Sequence, residues 1–127
     1  LPHVGTQIPD DFAARLQPRA LAVPDTDWHL ERLYGFAREL GASLIVPRYS
    51  RYAIDLNRPP ENTPMYAGQN NTELAPTRFF TGEPLYRAGQ APGAAEVIER
   101  VHRWLARFLP RSSSRYLHCT SRLGVEL

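Results

Sequence analysis

Lysine is absent from this 127-residue chain, and all 15 of its basic residues are arginine. With 13 acids the net charge is only +2, so we read the arginine bias as codon usage rather than a binding signal. Cys119 is the only cysteine, which excludes an intrachain disulfide framework and a cysteine-rich zinc site. Its ordinary reading is an inert thiol. Long apolar runs are missing too. Stretches such as Ser43 to Pro47 fall far short of the roughly 20 apolar residues that a membrane helix needs. The start at Leu1 lacks the basic, apolar, then small-residue order of a secretion signal. A cytoplasmic protein with no membrane partner is expected. Arg100, Arg103, Arg107, Arg111, Arg115 and Arg122 form a stretch without an acid. Such a stretch attracts nucleic acid when aromatics interleave for stacking, but here they do not, so no nucleic-acid partner is expected.

A chain of this length is about one domain and can bury an ordinary core. Pro9 and two acids favour a short helix over Asp10 to Leu16. A longer helix is predicted from a cap at Asp25 or Thr26 to a stop at Gly41. Leu30, Leu33, Tyr34, Ala37 and Leu40 recur at helical spacing and predict its buried stripe. Ser43 to Val46 reads as a buried strand and Tyr52 to Leu56 as a second, with a polar turn between them. Helix, strand, turn and strand suggest an α/β layer. Arg58 to Pro92 is rich in Pro, Gly, Asn and Thr and reads as a long loop of the functional or disordered kind. Gly93 to Leu109 is an amphipathic helix whose face is Ala94, Val97, Ile98, Val101, Leu105 and Phe108. Residues 110–127 are Ser- and Arg-rich and form a divergent, irregular tail.

Three clusters carry chemistry. In Pro2-His3-Val4-Gly5, a glycine allows a tight turn that opens an imidazole to a metal, although most loop histidines are plain surface residues. In Asp25-Thr26-Asp27-Trp28-His29, the acids suit helix capping or a hard metal ligand, and His29 suits a supporting donor. In Tyr49-Ser50-Arg51-Tyr52 and Asp55-Leu56-Asn57-Arg58, an arginine at a strand tip can grip a carboxylate with two parallel hydrogen bonds. The plainer reading there is a salt bridge between Asp55 and a neighbouring arginine.

Taken in order, these strings resemble the N-formylglutamate amidohydrolase family. They are P-H-V-G with Pro9 following, D-T-D-W-H-L-E-R-L-Y, Y-S-R-Y-A-I-D-L-N-R-P-P, and G-E-P-L-Y-R at residues 82–87. The similarity runs from Leu1 to about Trp104. It implies an α/β, zinc-exopeptidase-like (phosphorylase/hydrolase-like) sheet-and-helix domain, here without its carboxy-terminal half, with residues 1–109 as the amino-terminal part. It also implies a metal-dependent amide hydrolase that releases formate from N-formyl-L-glutamate in histidine degradation. The implied cofactor is zinc or another divalent transition metal, and the implied partner is a small acidic N-acyl amino acid. By the same resemblance His3 is a metal ligand, and Asp27 or Asp25 is a second. Arg58 is catalytic and binds substrate together with Asn57, Arg51 and Tyr49, and Tyr52 is a further pocket residue.

Family members continue with a D-x-H-S-like string whose histidine completes the metal site. Nothing from Arg107 to Leu127 matches it, and His118 lacks the acid two positions earlier. A frameshift or truncation near Val101 to Arg107 is the expectation, testable in the neighbouring reading frame. Two ligands make a poor zinc site. No residue presents itself as the acid for the leaving amine. Uncovered edges and an uncovered apolar helix face favour self-association, so a homo-oligomer is among the expected states. The contrasting reading is a non-catalytic remnant that binds at most small anions.

Overall fold

The computed structural model describes residues 1–62 and 71–105. Helix α1 spans Asp10–Ala13, α2 spans Leu30–Leu33, and α3 spans Ala94–Arg100 and continues as a wider π turn over Val101–Leu105. Short 3-10 turns occupy Pro18–Ala22 and Gly35–Arg38. Among the described residues, β pairing is limited to isolated bridges between Gln7 and Tyr49, Leu16 and Tyr86, and Arg78 and Pro84.

The core gathers Phe12, Leu16, Tyr52, Leu74, Leu85 and Trp104, with smaller side chains between them. Phe12 meets Trp104 edge-on at 6.2 Å, and Tyr52 meets Phe79 edge-on at 5.9 Å. Edge-to-face contacts of this kind add to the gain from burial itself. Leu74, Phe79, Leu85 and Tyr86 come from the stretch that its Pro, Gly and Asn content marks as a loop. Its described part is irregular but packed, because these four side chains are turned inward, while Phe80 stays half exposed.

Two expectations fail in the segment from Asp25 to Val46. The long helix is broken: His29 sits at φ 67° before α2, and a 3-10 turn replaces the rest. Its predicted stripe is not buried, with Leu33 64% and Leu40 78% exposed. Short helices are marginal without a packed face, and no described residue covers this one. Ser43 to Val46 forms no strand for the same reason, since a strand needs a neighbour to pair with. The predicted stop does hold, because Gly41 adopts φ 79°, where a glycine is favoured, and Ala42 N–H closes onto the Ala37 carbonyl.

Tyr52 to Leu56 is also not a strand, yet Tyr52, Ala53, Ile54 and Asp55 are fully buried. Buried carbonyls without a β ladder need other donors. Arg100 supplies them, donating to the Tyr52 and Ala53 carbonyls at 3.4 and 3.2 Å and to the Tyr86 hydroxyl at 3.0 Å. The buried face of α3 is therefore Val97, Arg100, Val101 and Trp104, while Ile98 of the predicted face points outward. The predicted helix end at Leu109, the tail of residues 110–127, His118 and Cys119 lie outside the described residues.

Candidate active site

Close backbone approach brings the first loop to the Tyr49 segment. A Cβ on Gly5 would lie 2.0 Å from the Tyr49 carbonyl oxygen and 2.9 Å from that of Pro47. Gly5 is thus required by proximity rather than by the tight turn expected of it. Flanking hydrogen bonds fix the register, with Gln7 N–H on the Arg48 carbonyl and Ser50 N–H on the Gln7 carbonyl. A third tie joins the acidic loop, as Asp27 N–H donates to the His3 carbonyl at 3.0 Å.

The result is a chain of charged groups. His3 Nε2 lies 2.7 Å from Asp55 Oδ1, and His3 Nδ1 lies 3.4 Å from Asp27 Oδ2. Asp55 is wholly buried; its Oδ2 accepts from Arg51 Nη2 and lies 4.0 Å from Arg58 Nε. Asn57 N–H donates to Asp55 Oδ1 at 2.9 Å. Burial opposes ionisation of Asp55, but the His3 hydrogen bond, the charges of Arg51 and His3, and the Asn57 N–H outweigh it and hold the carboxyl at about 2. Asp55 is therefore a carboxylate at neutral pH, and His3 Nε2 must carry the proton between them.

When His3 is neutral, that tautomer leaves Nδ1 with a lone pair facing the Asp27 carboxylate. Two acceptors at 3.4 Å repel unless something positive stands between them: a second proton on the imidazole or a metal ion. Tetrahedral zinc with ligand bonds of about 2.0–2.1 Å sets a nitrogen–oxygen edge of roughly 3.3 Å, close to that spacing. The donor set thus fits two corners of such a site. No group of three His, Cys, Asp or Glu side chains is arranged to hold a metal among the described residues.

The remaining predicted residues divide. Asp25 is turned away from His3, its carboxylate accepting from the Tyr52 hydroxyl at 2.9 Å and from Phe80 N–H at 3.1 Å. Burial and that hydrogen bond push the Tyr52 phenol well above its usual range, so Tyr52 acts as a neutral strut. Tyr49 packs its ring 6.1 Å from Trp104. Asn57 contributes its backbone N–H, and its side chain is exposed. His29 is exposed beside Trp28.

Arg51 and Arg58 do converge. Arg58 donates from Nη2 to Thr72 Oγ1 at 2.7 Å, and Phe80 lies over the Arg51 guanidinium at 4.5 Å. Arg51 Nε and Arg58 Nη1 are buried with no hydrogen-bond partner among the described residues. Unpaired buried donors on two guanidinium groups suit an anion. Thr72 and Phe80 were not among the sequence candidates for the site, and Asp55 entered only as the salt-bridge partner of a neighbouring arginine, which it is with Arg51. Asp55 had a signal, an acid two residues before Asn57, whereas Thr72 and Phe80 had none.

The model of the N-formylglutamate amidohydrolase family matches residues 1–112. An N-formylglutamate deformylase of Pseudomonas aeruginosa (strain PAO1) is 45% identical over 123 residues, covering 91% of this chain and 46% of that protein. One from Pseudomonas putida is 48% identical over 96 residues, covering 76% of this chain and 36% of the relative. The chain thus spans less than half the length of these curated relatives. No solved structure matches it. The match over most of the chain places it: this protein belongs to the N-formylglutamate amidohydrolase family.

Proposed function

We propose that this chain carries part of the site of a metal-dependent amide hydrolase that releases formate from N-formyl-L-glutamate in histidine degradation, on an α/β zinc-exopeptidase-like framework. One arrangement supports this most: His3 donates through Nε2 to a buried carboxylate and faces Asp27 across 3.4 Å through Nδ1. Family membership and the names of the two relatives support the substrate class.

His3 and Asp27 would hold a zinc or similar divalent ion, which when bound supplies Lewis acidity and brings the pKa of a water to about 7. The chain's own groups do the rest. Asp55 keeps the proton on Nε2, so that Nδ1 stays a lone-pair donor. Arg58 Nη1 and Arg51 Nε offer buried donors to a substrate carboxylate or to the oxyanion of an amide under attack. Thr72 and Phe80 hold those guanidinium groups in place.

Zinc titration of the purified chain, followed by an assay of formate release with and without a chelator, tests the reading. Zinc binding that disappears in His3→Ala is the expected result. A folded chain with neither zinc affinity nor formate release overturns it. A second reading, a non-catalytic chain that binds small anions, draws on the two-ligand count together with the two unpaired guanidinium nitrogens. It predicts glutamate binding that is indifferent to zinc.

A further inference from the structure

One short loop sends its two acids to different partners. Asp27 faces His3, whereas Asp25 Oδ2 accepts from the Tyr52 hydroxyl at 2.9 Å and from Phe80 N–H at 3.1 Å. Phe80 in turn lies against the Arg51 guanidinium, whose carbon is 4.5 Å from the ring centre. Because Tyr52 follows Arg51 in the chain, these contacts close a circuit from Arg51 through Tyr52, Asp25 and Phe80 back to Arg51. Each link has a physical reason. In its own plane Arg51 is tied to Asp55 through Nη2, while Nε has no partner among the described residues. A single hydrogen bond leaves a guanidinium free to rock about it, and an aromatic ring against its face resists that motion. Phe80 is itself half exposed, in a turn closed by Gly82 N–H on the Phe79 carbonyl. Its own N–H donates to no backbone carbonyl among the described residues, so the turn is tethered at that point by Asp25. A carboxylate is the strong choice of acceptor, since bonds to a charged group are about twice as strong as neutral ones.

We propose that Asp25 is a positioning residue: through the Phe80 main chain it holds the ring on Arg51, and so keeps Arg51 Nε in the orientation that receives an anion. The D-T-D loop then serves both parts of the site, Asp27 at the imidazole and Asp25 at the guanidinium. Asp25 touches no ligand and acts only through Phe80. A purely structural Asp25 would instead lower stability and leave Arg51 as it is. That an anion binds at Arg51 rests on the proposed function, but the tether from Asp25 through Phe80 to Arg51 does not.

NMR of the isotope-labelled 127-residue chain, titrated with L-glutamate, tests the tether. The Arg51 Nε–H resonance carries the shielding of the ring against it. That shielding should vanish in Phe80→Ala and fall by at least about half in Asp25→Ala, as the cation–π contact loosens. Glutamate affinity should drop roughly fivefold in each variant and no further in the double variant, because residues that act through one contact are not additive. Glu96→Gln, which weakens the fold elsewhere, should change neither reading. Where Asp25→Ala does not fold, Asp25→Asn takes its place with the same direction expected, since it removes the charge and one acceptor oxygen. An Arg51 resonance that stays put in the folded Asp25 variant overturns the proposal, as does one that moves equally in Glu96→Gln. A double variant weakened by the product of the two single effects overturns it too, since Asp25 would then act independently of Phe80. If the folded parent binds no glutamate, the anion-binding role of Arg51 fails with the proposed function, and the resonance alone decides whether Asp25 positions that side chain.

Discussion

His3 and Asp55, 52 residues apart in sequence, share a hydrogen bond of 2.7 Å. The acceptor carboxylate is completely buried and also serves Arg51 and the Asn57 N–H. Breaking a buried charge network by removing one partner leaves the others uncompensated, at a cost of roughly 3–5 kcal/mol. Asp55→Asn should therefore lower the unfolding free energy by about that much, measured by urea denaturation. A loss under about 1 kcal/mol would mean that the network is far better solvated than its burial implies.

Asp25 and Asp27 are two residues apart, yet only Asp27 faces His3. Asp27→Asn should weaken zinc binding by tenfold or more, roughly the effect of losing one ligand interaction. Asp25→Asn should leave zinc affinity nearly unchanged and lower stability instead, because the Tyr52 hydroxyl and Phe80 N–H lose a charged acceptor. Paired calorimetric titrations of the two variants decide this, and a reversed order would reassign the ligand.

At Gly5 there is no room for a methyl group, since the contacts are backbone atoms that cannot swing aside. Gly5→Ala should cost about 3 kcal/mol, the upper part of the usual range for overpacking. It should also separate His3 from Asp55, which the imidazole NMR resonances would report. Thermal unfolding identical to that of the parent would show that the first loop does not approach Tyr49 as described.

Arg100 lies among aromatic rings, 4.4 Å over Phe12, and answers two main-chain carbonyls. Arg100→Leu keeps the bulk but leaves those acceptors and the Tyr86 hydroxyl without their donor, and each stranded group costs about 1–3 kcal/mol. We expect a loss of at least about 2 kcal/mol by chemical denaturation. A neutral substitution would show that water replaces the guanidinium.

Glu96 accepts both terminal nitrogens of Arg15, at 2.9 and 3.0 Å, and Arg100 at 2.6 Å. Above all the Arg15 hydrogen bonds, then that from Arg100 and the charges of both arginines, outweigh burial and hold its carboxyl below the usual glutamate value of 4.5. A carboxyl depressed in the folded state stabilises fully above its unfolded value, and that contribution is lost as pH falls through the folded value. The stability gap between the parent and Glu96→Gln should be widest at neutral pH and should close as pH drops below 4.5. Urea midpoints at pH 7, 4.5 and 3 measure it, and a gap independent of pH would remove the ionic contribution.

Family strings, the stop at Gly41, the short helix after Pro9 and the pairing of an early histidine with the D-T-D-W acids were all legible along the chain. Each depends on neighbours within a few residues or on residue types in a fixed order. Burial was less legible. The stripe of Leu33 and Leu40 has the correct helical period but no described surface to pack against, so periodicity alone did not bury it. Arg100 went the other way: a charged residue on an expected polar face became buried because distant carbonyls lacked a β ladder.

By itself the sequence determined the kinds of group available: imidazole, carboxylate and guanidinium, in an order shared with a family of amide hydrolases. Only the tertiary structure decided which of two acids faces His3, and that Asp55 fixes its proton. Local spacing limits what a side chain can reach, but hydrogen bonds across 52 residues are chosen by how loops are held together. Here a close approach at Gly5 and a single backbone bond from Asp27 to His3 make that choice.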